Sequence, residues 1–65
     1  MSGNGLIAAP ALAQEFGVTV QRLATWRHQG VGPAYVKVGR LVRYRREDVD
    51  AWLDAQTVET AGGAA

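Results

Sequence analysis

Residues 13–23 have the sequence AQEFGVTVQRL, and this stretch decides the fold. Apolar residues recur at positions i, i+3, i+4 and i+7 of a first helix, namely Ala9, Leu12, Ala13 and Phe16. Gly17 stands where a helix ends in a left-handed conformation. Thr19 is placed to cap a second helix, which carries Leu23 and Trp26 on its apolar side. The stretch therefore predicts two short helices joined by a tight turn.

The N-terminal capping signals of the two helices differ in strength. Pro10 suits the first helical position, which would make Ala9 a poor N-cap. Val18 and Leu23 have the spacing of a hydrophobic staple across the start of the second helix. Arg22 in the first turn of that helix opposes the helix dipole, which favours a contact with a phosphate or a base edge. The alternative is a long side chain that reaches away from the dipole.

Two helices joined by a glycine turn form a helix-turn-helix unit, whose second helix can enter the DNA major groove. The outer surface of this helix carries side-chain types that contact base edges or the thymine methyl group. His28 is interpreted as a phosphate contact or a plain surface residue. Five residues share this surface: Val20, Gln21, Arg22, Thr25 and His28.

The charges are strongly segregated, although the net charge is only +1. All seven basic residues lie between positions 22 and 46, and no acidic residue lies in that span. This distribution predicts a polyanion-binding surface, the alternative being a solvated basic face. The basic residues are Arg22, Arg27, Lys37, Arg40, Arg43, Arg45 and Arg46.

Residues 34–44, AYVKVGRLVRY, predict a β-hairpin with Gly39 and Arg40 at its tip. A two-residue loop would pair Val38 with Leu41. A three-residue loop would pair Val38 with Val42, and it gives the cleaner alternation of apolar and basic residues, so we favour it. Such a basic hairpin after a helix-turn-helix is typical of a wing that contacts the DNA backbone or minor groove. The alternative is an ordinary hairpin whose charges protect its edge.

A third helix is predicted to begin at Glu47 and Asp48, where acidic residues suit the dipole. Its apolar stripe is Val49, Trp52 and Leu53, with Asp50 and Asp54 facing outward. We expect one winged helix-turn-helix domain over residues 6–55, of the α+β class and mostly helical. Residues 1–5 are predicted to be disordered, and residues 56–65 are predicted to form a flexible tail.

Several classes of function fit the composition poorly. The chain has no cysteine and one histidine, so no ordinary zinc site, disulfide or other cofactor is expected. No nucleophile–base pair is apparent, and enzymatic activity is not expected. No apolar run approaches the roughly 20 residues that span a bilayer, and no signal peptide is evident. A cytoplasmic, DNA-associated protein is therefore expected.

The order of helix, turn, helix, basic hairpin and helix resembles the small winged helix-turn-helix proteins that include phage excisionases, AlpA-type regulators and the DNA-binding heads of MerR regulators. The resemblance covers about residues 6–55. It rests on residues 13–27 and on the run YVKVGRLVRYRREDVDAWL at residues 35–53. The sequence departs from the family pattern at Ala9-Pro10, where Thr or Ser usually caps the first helix, and at Val20, where polar residues are common.

The resemblance implies that residues 19–28 enter the major groove and that the hairpin contacts the adjacent backbone or minor groove. The predicted DNA-contacting residues are Thr19, Val20, Gln21, Arg22, Thr25, Arg27 and His28 on the helix, and Lys37, Gly39, Arg40 and Arg43 on the wing.

The resemblance also implies a function. We expect a sequence-specific double-stranded DNA-binding protein, most similar to an excisionase that binds tandem sites cooperatively, bends DNA and directs an integrase toward excision. Its partners would be an integrase and further copies of the chain. The short segment after Leu53 disfavours an effector-sensing regulator, and no small-molecule effector is expected. An AlpA-type transcription regulator is the alternative, and a protein–protein adaptor is a more remote one.

Overall fold

The computed structural model describes residues 5–59, in which three helices pack with a small antiparallel sheet. The predicted α+β class, mostly helical with a hairpin after the helix-turn-helix, is confirmed. Residues 1–4 and 60–65, predicted to be disordered or flexible, lie outside the described part. In chain order the elements are β1 (Leu6–Ala8), α1 (Ala9–Phe16), α2 (Val20–Gln29), β2 (Val36–Val38), β3 (Leu41–Arg45) and α3 (Arg46–Gln56).

The turn between α1 and α2 has the predicted form. Gly17 has φ 75°, and its N–H donates to the carbonyl of Gln14 at 3.2 Å. The N–H of Val18 donates to the carbonyl of Ala13 at 2.9 Å, which completes a Schellman motif. Only glycine adopts this conformation without strain, so the chain leaves α1 abruptly and can start α2 three residues later.

The cap of α2 is also confirmed, whereas the predicted start of α1 is wrong by one residue. The Thr19 hydroxyl accepts a hydrogen bond from the N–H of Arg22 at 3.0 Å. Helix α1 begins at Ala9, so the N-cap is Ala8, which makes no side-chain cap bond, and Pro10 is the second helical residue. The proline fits there because the first four N–H groups of a helix have no partner within it.

The sheet contains a strand that sequence reasoning did not predict. The strand order is β1-β3-β2, and both pairings are antiparallel. Strand β1 pairs Ile7 with Tyr44 in the middle of β3, which directs both side chains toward the helices. The segment after Gly5 therefore does more than supply apolar residues, because it forms one edge strand of the sheet.

The hairpin has the two-residue loop, so the favoured three-residue register is wrong. Val38 pairs with Leu41, and Lys37 pairs with Val42. The inward face is set by β3, because Tyr44 is 1% exposed and Val42 packs on the core. Strand β2 lies at the sheet edge, where burial is slight. Its valines can therefore lie on the outer face, against the alternation that favoured the other register.

The core lies where α1, α2 and α3 meet the inner face of the sheet. Its six buried residues are Ala9, Leu12, Ala13, Leu23, Tyr44 and Val49. Beside them, the rings of Phe16, Trp26 and Trp52 form a cluster with centroid separations of 5.5–6.4 Å. Each such ring pair adds about 0.5–1.5 kcal/mol beyond area burial.

Helix α3 buries a narrower stripe than predicted. Val49 is fully buried and Trp52 joins the ring cluster, but Leu53 is 42% exposed, so its assignment to the buried stripe is wrong. Asp50 and Asp54 are exposed, as predicted. The helix extends to Gln56, and the domain limits of residues 6–55 remain a prediction.

Candidate nucleic-acid interface

Helix α2 presents an uncovered polar ridge. Leu23 is fully buried and Trp26 is partly buried, which orients the helix. On the opposite side Gln21, Thr25 and His28 follow one another at i, i+4 and i+7, the spacing of residues on one helical face. All three are exposed. This ridge is exposed to solvent, and its side-chain types can contact base edges in the major groove.

The first turn of α2 adds positive potential to one end of this ridge. It contains no acidic residue, and the N-terminal end of a helix dipole is itself positive. Arg22 is exposed, and within residues 5–59 its guanidinium makes no ion pair. Val20, 45% exposed, stands beside it as the apolar member of the surface, and the capping residue Thr19 is also exposed.

The hairpin tip carries exposed and unpaired cations. Gly39 has φ 63° at the first position of the two-residue loop, and Arg40 follows it. Arg40 and Lys37 are exposed and form no ion pair in the part of the chain that the structure describes. Val38 and Leu41 flank the loop and are 52% and 54% exposed. The tip thus combines positive charge with apolar surface.

Arg43 occupies a different place from the other predicted wing residues. It lies in the middle of the central strand, opposite Ala8 on one side and Val36 on the other. Its side chain is half-buried, and Nη1 donates to the carbonyl of Val42 at 2.8 Å. The structure therefore does not bring Arg43 to the tip, and places it on the outer face of the sheet.

The side chain of Arg27 differs from the exposed side chains of α2, because it contacts two tyrosines inside the domain. Its Nη1 donates to the hydroxyl of Tyr44 at 2.7 Å, and its guanidinium lies 5.7 Å from the ring centroid of Tyr35. The two tyrosine rings are 6.2 Å apart. Sequence reasoning missed both tyrosines. The signal was available, because a buried tyrosine usually finds a partner for its hydroxyl, and Arg27 is the cation at the end of α2.

The two remaining basic residues are neutralised by acids. Arg46 makes a two-pronged contact with Glu15 at 2.9 and 3.0 Å and reaches Asp50 at 3.5 Å. The hydrogen bond that Arg46 donates to the Glu15 carboxylate raises the pKa of Arg46 above its ordinary value. Arg45 pairs with Asp48 at 3.3 Å. The acids that flank the basic span in sequence therefore pair with the two basic residues at its C-terminal end. Within residues 5–59, five cations along α2 and the hairpin have no acidic partner.

The loop between α2 and β2 is packed tightly against the helix. Gly30 ends α2 with φ 76°, and Gly32 has φ 86°. A Cβ atom on Gly32 would lie 3.0 Å from Cε3 of Trp26. Beside this contact, Arg27 and residues 30–35 line a hollow of about 340 Å³. The contact with Trp26 therefore constrains the loop that leads from α2 to the hairpin.

Two structural features are absent from residues 5–59. No group of three His, Cys, Asp or Glu side chains converges in a way that would hold a metal ion. No helix in this range has the length and apolarity needed to cross a membrane.

Comparison with known proteins agrees with the arrangement of α1, α2 and the hairpin. Residues 9–57 match the family described as helix-turn-helix domain. No curated protein sequence matches the chain. The matched residues run from the start of α1 to the end of α3 and include the polar ridge and the hairpin tip. The chain belongs to the helix-turn-helix domain family, a group of small DNA-binding domains.

Proposed function

We propose that this chain binds duplex DNA sequence-specifically and acts as an excisionase, a DNA-bending protein that directs an integrase toward excision. Helix α2 would lie in the major groove with Gln21, Thr25 and His28 toward the base edges. The hairpin tip would contact the neighbouring backbone or minor groove through Lys37 and Arg40. Residues 6–55 would form the binding unit.

One observation carries the DNA-binding part of this proposal. The cations of the chain fall into two sets: Arg45 and Arg46 are paired with acids, whereas the other five have no acidic partner within residues 5–59. The unpaired set follows α2 and the hairpin, next to a polar ridge that nothing in the domain covers. Cations without acidic partners beside side chains that can contact base edges are the combination expected of a duplex-DNA-binding surface.

The excisionase role rests on the family resemblance and on the size of the contact surface. A single ten-residue helix and one hairpin tip make few contacts, so one copy should bind weakly and with strong salt dependence. Several copies on adjacent sites, or a partner already on the DNA, would raise the apparent affinity. Tandem binding beside an integrase would meet this requirement.

The first experiment is a gel-shift titration with DNA from the protein's own locus, at two salt concentrations and with random DNA as competitor. A ladder of successive complexes that resist the competitor supports the excisionase role. A single specific complex would replace it with a simple transcription regulator. Binding that shows no salt dependence would overturn DNA binding itself and favour a protein–protein adaptor.

A matched pair of arginine variants tests which cations contact DNA. Arg40→Ala should weaken binding to all sequences and lower the salt slope by roughly 1, because one phosphate contact is lost. Arg45→Ala removes the same side chain and the same charge from a residue already paired with Asp48. It should leave the slope unchanged, and equal slopes for the two variants would contradict the assignment of the wing.

A matched pair of glutamine variants tests the base-reading ridge. Gln21→Ala should relax the preference at one base position by about 1–3 kcal/mol. Gln14→Ala removes the same side chain from the exposed surface of α1 and should leave sequence preference intact. A uniform loss of affinity on every sequence for Gln21→Ala would show that this residue contacts the backbone instead of a base.

A further inference from the structure

The two proposed DNA-contacting elements are joined mainly by side chains. The backbone of α2 packs against α1, while the hairpin backbone packs on β1, α1 and α3 through its central strand. Leu23 and Tyr44 both belong to the core cluster, but apolar packing in that cluster is not directional and does not by itself set the orientation of the hairpin relative to α2. A specific connection between α2 and the hairpin has to come from polar or stacked groups.

Arg27 supplies that connection. It lies in the last turn of α2, and its guanidinium contacts Tyr44 on β3 and Tyr35, the residue before β2. The hydroxyl of Tyr44, on β3, accepts its hydrogen bond at 2.7 Å. The ring of Tyr35, immediately before β2, lies under the guanidinium at 5.7 Å, within the range of a cation–π contact. The Arg27 guanidinium is thus held by the hydrogen bond to Tyr44 and by the face of the Tyr35 ring.

We propose that Arg27 is a positioning residue that sets the placement of the wing relative to α2, and that it is not a direct reader of bases or phosphates. The inference rests on the proposed function, since it concerns how the two DNA-contacting elements are held in register. It reassigns one residue of the predicted recognition surface.

The geometry distinguishes Arg27 from the free cations. Its head group is half-buried and already has a donor engaged, whereas Arg22 and Arg40 are exposed and unengaged in the described structure. A phosphate contact through Nη1 of Arg27 would require breaking the bond to Tyr44 and leaving a buried hydroxyl without its partner. With the bond intact, the wing tip is held at one distance from the ridge on α2.

The chain offers a closely matched test in its two tyrosines. Tyr44→Phe removes the hydroxyl that holds Arg27 and keeps the buried ring. Tyr35→Phe removes a hydroxyl at the other ring, while the cation–π contact is retained. The measurement is DNA affinity as a function of salt for both variants, at a temperature where thermal melts show each to be folded.

We expect Tyr44→Phe to weaken DNA binding about tenfold, the typical effect of losing one hydrogen bond to a charged group, and to lower the salt slope by roughly 1. The slope should fall although Tyr44 is buried and touches no DNA, because the displaced wing loses its phosphate contact. Tyr35→Phe should match the wild type in both quantities. A change in stability alone would not move the slope of a fully folded protein.

Combining variants separates positioning from direct contact. If Arg27 sets the wing, Tyr44→Phe and Arg40→Ala disable the same contact, and the double variant should bind no worse than the weaker single variant. Additive losses would overturn the inference. An unchanged slope for Tyr44→Phe, with a lowered slope for Arg27→Ala, would also overturn it and would make Arg27 a direct phosphate contact.

The proposed function and this inference fail differently. Loss of salt-dependent DNA binding by the wild type would refute the proposed function. Normal wild-type binding with identical behaviour of Tyr44→Phe and Tyr35→Phe would refute only the positioning role of Arg27.

Discussion

The tip and the base of the hairpin both involve an arginine beside bulky side chains, but these groups are exposed at the tip and largely buried at the base. At the tip, Arg40 is exposed and has no acidic partner among residues 5–59, and Val38 and Leu41 are more than half exposed. At the base, Tyr44 is 1% exposed and holds the guanidinium of Arg27. The tip is therefore solvent-exposed surface, and the base is part of the core. An arginine is therefore assigned by what it contacts in the fold, and its charge alone does not decide its role.

The largest test of this comparison is Tyr44→Ala at the base. Truncation of a buried aromatic residue typically costs about 3–5 kcal/mol, which is a large part of the stability of a domain this small. We expect the variant to be largely unfolded at room temperature, as measured by far-ultraviolet circular dichroism and urea titration. A variant as stable as the wild type would remove the base of the hairpin from the core.

Gly32→Ala tests the loop that delivers the hairpin base to α2. Its φ of 86° strains any other residue, and the added Cβ would stand 3.0 Å from the ring of Trp26. Strain and overpacking together should cost roughly 2–4 kcal/mol. The midpoint of urea unfolding measures this cost.

Gly39→Ala is the corresponding change at the tip. Its φ of 63° carries the same backbone strain, but a Cβ there meets no atom within 4 Å. The expected loss is about 1–2 kcal/mol, from strain alone. The same urea titration gives both values, and a loss at Gly39 that equals or exceeds the loss at Gly32 would show that crowding at Trp26 is unimportant.

Leu41→Ala should have the smallest effect on stability. Leu41 lies on the same strand as Tyr44, three residues away, but is 54% exposed. Exposed substitutions usually change stability by less than about 0.5 kcal/mol. A loss comparable with that of Tyr44→Ala would abolish the distinction between tip and base.

The helical part of the fold was predictable because its signals are local. Gly17, Thr19 and the apolar residues at helical spacing lie within one stretch, and each acts on its immediate neighbours. The acidic first turn of α3 is a local signal of the same kind. These features set where α1, α2 and α3 begin and end, with an error of one residue at the start of α1 and at the start of α3, which begins at Arg46 and not at Glu47.

The sheet was less predictable because its determinants are distant in sequence. Strand β1 has three residues, too few to show a period, and its pairing of Leu6 with Arg45 joins residues that lie 39 positions apart in sequence. The hairpin register depends on which face Tyr44 buries, and that is decided by packing against the helices. Alternation within residues 34–44 alone favoured the wrong loop.

The site was predictable as a surface but not residue by residue. The exposed positions Gln21, Thr25 and His28 followed from helical geometry. The inward turn of Arg27 did not, because it depends on a tyrosine 17 positions away. Likewise, the contact of Arg46 with Glu15 was not predictable, since Glu15 lies 31 positions earlier. Only its weaker contact with Asp50, four residues later on α3, was a local signal.

The aromatic residues divide the molecule into two spectroscopic regions. Both tryptophans lie in the ring cluster between the helices, with centroids 5.5 Å apart, and both tyrosines lie at the hairpin base. Tryptophan emission therefore reports on helix packing, whereas tyrosine absorbance reports on the hairpin. Opening of the wing with the helices intact would change the second signal and leave the first in place, so local and global unfolding can be distinguished without any label.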